Sequence, residues 1–170
     1  MMAADEGATI LETNNDGPKI PDVKKTKFDV IIIGAGPAGY TAGIYCSRAG
    51  YDTLILSGIL PGGQLVNTTE VENYPGFENG IMGPDLMIDM RKQSQRMGTT
   101  IIDDVAVDVD FRRAPYKVLT GSEEYEGKAV IIATGANPRK MGISGEEEFS
   151  GKGVSYCATC DGPFFKNLEL

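Results

Sequence analysis

Histidine is absent from this 170-residue chain, and cysteine occurs only three times, at Cys46, Cys157 and Cys160. A structural zinc site takes four ligands drawn mainly from those two residue types. No metal site is therefore expected. Long apolar runs are also missing, and none approaches the ~18 residues that a membrane-spanning helix requires. Basic residues are the minority, 16 Lys and Arg against 24 Asp and Glu, for a net charge of -8. An acidic surface argues against nucleic acid and against anionic membranes as partners. The stretch from Met1 to Asp16 has no basic n-region and no apolar h-region, so it does not read as a signal peptide. A cytoplasmic location is the expectation, and in that compartment disulfides are mostly transient or catalytic.

Against these absences stands Cys157-Ala158-Thr159-Cys160-Asp161-Gly162. C-x-x-C spacing brings two sulfurs within disulfide reach and lowers the pKa of one of them. The thiolate is the species that performs disulfide exchange, so such a pair is a redox tool. The same spacing serves half a zinc site, but the ligand count removes that reading. Asp161 follows the second cysteine directly. It lies near an expected helix start, where an acid stabilises free N–H groups.

Upstream, Phe28 to Ile33 form a short apolar run, read as a strand buried on both faces. Gly34-Ala35-Gly36-Pro37-Ala38-Gly39 follows as a G-x-G-x-x-G. Ala38, Ala42, Tyr45 and Ala49 recur at helical spacing, and Gly50 is the expected stop. The next strand is Thr53 to Leu56. Strand, glycine turn, helix and strand together make a dinucleotide fingerprint. Gly34 allows the tight turn, Gly36 lets the backbone approach a pyrophosphate, and Gly39 lets the helix pack on the sheet. The pyrophosphate belongs at the helix N-terminus. The fingerprint normally places Asp or Glu about 20 residues on, against the ribose hydroxyls. Here that strand ends at Ser57-Gly58. A serine does part of that work with less discrimination, which weakens an NAD reading and leaves FAD open.

Residues 58–80 read as one long loop, carrying Gly62-Gly63-Gln64-Leu65 and Asn73. A loop of that length is either functional or a floppy surface feature. Gly83-Pro84-Asp85 opens a helix whose Leu86, Met87, Met90 and Met97 read as core packing. Ile101 to Leu119 reads as a small meander over one face of a sheet, and Lys128 to Ala133 as a further buried strand. Cys46 reads as a small buried hydrophobe. Residues 1–26 read as a disordered polar extension, with covering a neighbouring subunit as the other use.

Gly34–Gly39, Gly62-Gly63-Gln64-Leu65, Thr68 to Asn73, Ala133-Thr134-Gly135 and Cys157–Gly162, in that order, resemble the low-molecular-weight thioredoxin reductases. These are flavoproteins of the pyridine nucleotide-disulfide oxidoreductase superfamily. The resemblance runs from about Phe28 to the last residue. It implies an α/β fold, a Rossmann-like FAD-binding three-layer domain with a small β-meander, over residues 27–170. It implies FAD bound by Gly34, Gly36, Pro37 and Ala38 at the pyrophosphate, and by Ser57, Gly62, Gly63, Gln64 and Leu65 on the adenosine and flavin sides. Asn73 falls on a flavin-proximal position, Ala106 on a backbone contact to adenine, and Thr134 with Gly135 on the loop crossing the cofactor. Cys160 matches the cysteine facing the flavin, Cys157 the one attacking thioredoxin, and Asp161 the acid that manages the proton. Thioredoxin or a similar small disulfide protein is the implied partner, and a homodimer the implied assembly. NADPH is the family's default donor, but its domain, with a second glycine fingerprint, is absent from this chain. Two other activities remain open: a redox-sensing disulfide switch without turnover, and an FAD-dependent dithiol oxidase.

Overall fold

A computed structural model describes residues 25–167. The expected extension over residues 1–26 lies outside the described residues, except for Lys25 and Thr26. The Thr26 carbonyl accepts the Glu126 N–H at 2.8 Å, and Lys25 Nζ lies 2.6 Å from Asp52.

The order of elements is β1 (Lys27–Ile33), α1 (Pro37–Arg48), β2 (Thr53–Leu56), β3 (Glu70–Val71), β4 (Ile81–Met82), α2 (Gly83–Arg96), β5 (Thr100–Ile102), β6 (Ala106–Asp110), β7 (Tyr116–Thr120), β8 (Glu124–Ile132) and α3 (Ala158–Asp161). Six strands form one sheet in the order β5-β2-β1-β8-β7-β6. The first four run parallel, and β7 and β6 join antiparallel. The chain therefore has an α/β fold with a mostly parallel sheet, as in Rossmann-like FAD-binding domains.

Alternation along the strands separates two faces. Val30, Ile32, Ile55 and Ile101 face the helices, where they meet Tyr40, Leu86, Met87 and Met90. Ile31, Leu54 and Leu56 belong to the opposite core, closed by Val118 and Tyr125 of the meander. Ile31, Ile32, Leu54 and Ile55 are fully buried, and each contributes roughly 1.5–3 kcal/mol relative to an exposed side chain. Helices, sheet and meander thus make three layers. Gly43 sets the approach of α1 to its neighbours. A Cβ there would lie 2.7 Å from Ser94 Oγ and 2.8 Å from Ile55 Cδ1.

The helix of Leu86, Met87 and Met90 packs as expected, while Cys46 is only half-buried against the same core. Three expectations change. The 58–80 loop contains a 3-10 turn at Gly63–Asn67 and β3, which pairs with β4 just beyond the loop, and these two-residue strands are too short to show a period. Ile101 and Ile102 leave the meander and pair with β2 in the parallel sheet, because a run of two apolar residues does not reveal its partner. The strand expected from Lys128 begins earlier, at Glu124, and is the hinge between the two layers. Tyr116 to Leu119 pair with its first half and Lys27 to Ile33 with Glu126 to Ile132. Its last residues are not buried on both faces, since Ile132 is 65% exposed. Among the described residues no strand borders Ala129–Ile132 on the side away from β1, and no helix is long and apolar enough to cross a membrane.

Candidate cofactor and redox site

Two of the three glycines of the G-x-G-x-x-G are fixed by contacts that no side chain tolerates. Gly34 has φ +108°, and a Cβ on it would lie 2.2 Å from the Ala133 carbonyl oxygen. On Gly39 a Cβ would lie 2.0 Å from the Gly34 oxygen. Gly36 differs, because a Cβ there meets nothing within 4 Å. It is the N-cap of α1 with extended backbone, and Pro37 begins the helix. No side chain caps this end, and no acid lies in its first turn. Free N–H groups, the helix dipole and an open approach over Gly36 fit a pyrophosphate.

Two distant segments close on this turn. The Gly62 N–H donates to the Ala35 carbonyl at 2.7 Å. Gly62 and Gly63 have φ +98° and +64°, a pair of left-handed conformations that glycine adopts freely. Gln64 Nε2 donates to Asn137 Oδ1 at 2.6 Å, tying this loop to the segment after Thr134 and Gly135. That segment leaves β8 beside β1, with the Ala133 N–H on the Ile33 carbonyl at 2.8 Å. Gly34, Gly36, Pro37, Ala38, the Gly62–Leu65 turn and Thr134–Gly135 therefore gather at the carboxyl ends of the parallel strands, where α/β sheets hold ligands.

Ser57 directly follows β2 at the same edge and is 4% exposed. Its hydroxyl donates to Asp103 Oδ1 at 2.8 Å. Arg91 of α2 grips the same carboxylate through both Nη atoms, each at 2.8 Å. The Arg91 hydrogen bond, supported by Ser57, holds the Asp103 carboxyl below the usual carboxylate range. Burial pushes the phenol of Tyr40, next to Arg91, upward. The Gly58 N–H donates to the Asp104 carbonyl at 3.0 Å, which sets Ala106, at the start of β6, close to the end of β2.

Asn73 is tied to these groups by no described hydrogen bond. It is exposed and lines an open depression made by residues 72–78.

Cys157 and Cys160 form a disulfide, with Cα atoms 5.2 Å apart. Cys157 is the N-cap of the single-turn α3. Ser155 Oγ receives the Cys157 N–H at 3.0 Å and donates to Asp161 Oδ2 at 2.5 Å. Asp161 ends that turn, and its carboxylate accepts no backbone N–H among the described hydrogen bonds. Apart from the Gly162 N–H on the Ala158 carbonyl, the described hydrogen bonds of residues 140–161 stay within that stretch. Its anchor is Glu146, 3% exposed. Glu146 accepts the Met141 and Gly142 N–H groups at 2.8 and 2.6 Å and the Tyr156 hydroxyl at 2.8 Å.

Sequence reasoning missed Asp103, Arg91, Asn137, Ser155 and Glu146. Only Asp103 left a signal, an acid directly after a short apolar run in a chain whose expected ribose acid was missing. The others look like ordinary polar surface residues.

Comparison with known proteins agrees with this geometry. The family profile described as pyridine nucleotide-disulphide oxidoreductase matches residues 28–169. A thioredoxin reductase of Rickettsia bellii is 55% identical over 147 residues, covering 86% of this chain and 47% of that protein. One from Listeria monocytogenes is 56% identical over 145 residues, 84% of this chain and 44% of that protein. The crystal structure of thioredoxin reductase from Streptococcus pyogenes superposes with a TM-score of 0.75 at 42% identity, covering 82% of this chain and 45% of that one. The chain spans about half the length of these relatives. With the sheet order, the glycine turn and the disulfide in accord with a profile match across residues 28–169, the chain belongs to the pyridine nucleotide-disulphide oxidoreductase family and resembles the N-terminal part of thioredoxin reductase.

Proposed function

We propose that this chain is the FAD-binding and redox-active part of a thioredoxin-disulfide reductase. The observation that carries the reading is the convergence of Gly34–Ala38, Gly62–Leu65 and Thr134–Gly135 on one sheet edge in a chain that also forms the Cys157–Cys160 disulfide. The α1 N-terminus and Gly36 would hold the pyrophosphate, Ala106 the adenine edge, and the Gly62–Leu65 turn, Thr134, Gly135 and Asn73 the flavin side. When bound, FAD supplies a two-electron reductant for the disulfide, and NADPH is the proposed source of those electrons.

The thiol chemistry belongs to this chain. In the reduced pair, the Cys157 thiolate attacks a sulfur of the partner's disulfide and releases the other sulfur as a thiolate. The Cys160 thiolate then attacks the Cys157 sulfur of the mixed disulfide. The Cys157–Cys160 bond re-forms, and the partner leaves with both sulfurs reduced. Two electrons have passed from the pair to the partner. Asp161 holds the proton that the departing thiolate requires, and Ser155 fixes its carboxylate. Thioredoxin or a similar small protein is the proposed partner, in the cytoplasm, and a homodimer the proposed assembly.

The test uses protein of full family length. It should purify yellow, release flavin on heating, and reduce thioredoxin with NADPH. Cys157→Ser and Cys160→Ser should each abolish that reduction. Asp161→Asn should keep its flavin and melting temperature while kcat falls by about 10²–10⁴, as for a lost general acid. Colourless protein, or full activity in either cysteine variant, refutes the reading. Normal activity with Asp161→Asn removes only Asp161 from the chemistry.

A further inference from the structure

We propose that Asp103, at the end of β5, is the acid that binds the ribose of the FAD adenosine, taking over from the position after β2. The inference rests on the FAD reading above. A dinucleotide fold wants a carboxylate against the ribose hydroxyls because each hydroxyl is a donor seeking a strong acceptor. In this chain the position that usually supplies it is Ser57. Its hydroxyl has one proton, already given to Asp103 Oδ1 at 2.8 Å, and the residue is 4% exposed.

The register of the sheet shows how a carboxylate reaches the same place. Leu56 pairs with Ile102. Ser57 and Asp103 are the next residues on those two parallel strands, so they stand side by side at the carboxyl edge, about one strand spacing of ~4.8 Å apart. The Asp103 carboxylate is orientated before any ligand arrives. Oδ1 accepts from Ser57 and Arg91 Nη1, and Oδ2 accepts from Arg91 Nη2. A carboxylate offers about four acceptor directions, so one remains on Oδ2. The side chain is 55% exposed, which leaves that direction accessible. Arg91 has a second effect. An unpaired carboxylate near a diphosphate would repel it, whereas the Arg91–Asp103 pair carries no net charge. Arg91 and Ser57 are thus positioning residues, and Asp103 makes the contact.

The bland alternative is a clamp that only fastens α2 to β5. The two differ in what they do to ribose recognition. Apoprotein of full family length is titrated with FAD and with its two analogues lacking the adenosine 2′- or 3′-hydroxyl, following flavin fluorescence. Wild type should bind at least one analogue about tenfold or more weakly, the loss expected for a hydrogen bond to a charged acceptor. Asp103→Ala should bind FAD and that analogue equally. Asp103→Asn, which preserves the shape without the charge, should show the penalty reduced and serves if the alanine variant folds poorly. Ser57→Ala should retain most of the discrimination. An undiminished penalty in both Asp103 variants, or a wild type indifferent to both analogues, overturns the proposal and leaves FAD binding intact. Failure of wild type to bind FAD at all overturns the FAD reading and this inference with it.

Discussion

Glycine positions that look equivalent in G-x-G-x-x-G do different jobs here. Gly34 and Gly39 are steric requirements of the fold, because a Cβ on either would collide with backbone carbonyls at 2.2 and 2.0 Å. Gly36 is free of such contacts and has ordinary extended backbone. Its lack of a side chain matters only for what comes from outside. Gly34→Ala should therefore lower the melting temperature sharply, from a clash and an unfavourable φ that together cost at least about 1–3 kcal/mol. Gly36→Ala should melt like wild type when both are compared as flavin-free apoprotein, yet retain little flavin through purification. A thermal melt and a flavin-to-protein absorbance ratio on both variants check this. The glycines were legible in the sequence, but their division into fold and ligand roles came from the neighbours of each Cα.

At the scale of elements, the segment between β8 and α3 is held by one buried carboxylate. Glu146 gathers two backbone N–H groups and the Tyr156 hydroxyl, and the Met141 N–H does most to hold its carboxyl below the usual range. A lowered folded-state pKa gives stability that is complete above the unfolded value of about 4.3. That stability is lost as pH falls through the folded-state value. Hydrogen exchange at the Met141 and Gly142 amides, corrected for intrinsic rate, should thus be independent of pH from 7 to about 5 and accelerate below about 4. In Glu146→Gln those amides should exchange faster at pH 7, and the acid-dependent step should disappear. An unchanged acid step in that variant would show that another group holds the segment. No sequence pattern announced this anchor, since Glu146 sits in a run of three glutamates that reads as a solvated surface.

For the whole molecule, the informative feature is the edge of β8. Its first half pairs with β7, but among the described residues Ala129–Ile132 have β1 alone, and Ile132 is 65% exposed. An open, apolar strand edge invites pairing with another chain. It also borders Ala133 and Thr134, which lead into the cofactor side of the site. The 170-residue chain expressed by itself should therefore bind FAD at least about tenfold more weakly than protein of full family length. It should also associate or precipitate as concentration rises. Flavin fluorescence titration and sedimentation of both forms test this, and equal affinity would show that the described residues hold the cofactor unaided.

Local rules were enough for β1, the glycine turn, the existence of α1, β2 and the packing face of α2, because each is set by period, glycine placement and residues within a few positions. The C-x-x-C disulfide was legible for the same reason. The period read along α1 was not its core face, since Ala38, Tyr45 and Ala49 are exposed while Gly39, Tyr40 and Gly43 are buried. Sequence by itself determined the family and the chemistry on offer. Tertiary structure decided the rest: that Ile101 joins β2, that Glu124–Ile132 bridges two layers, that Gly62 docks on Ala35, and that Asp103 stands beside Ser57. Each depends on strand register or on a hydrogen bond between residues far apart in the chain. Such a pairing is settled only when both apolar faces of the sheet are buried together, which no single stretch of sequence records.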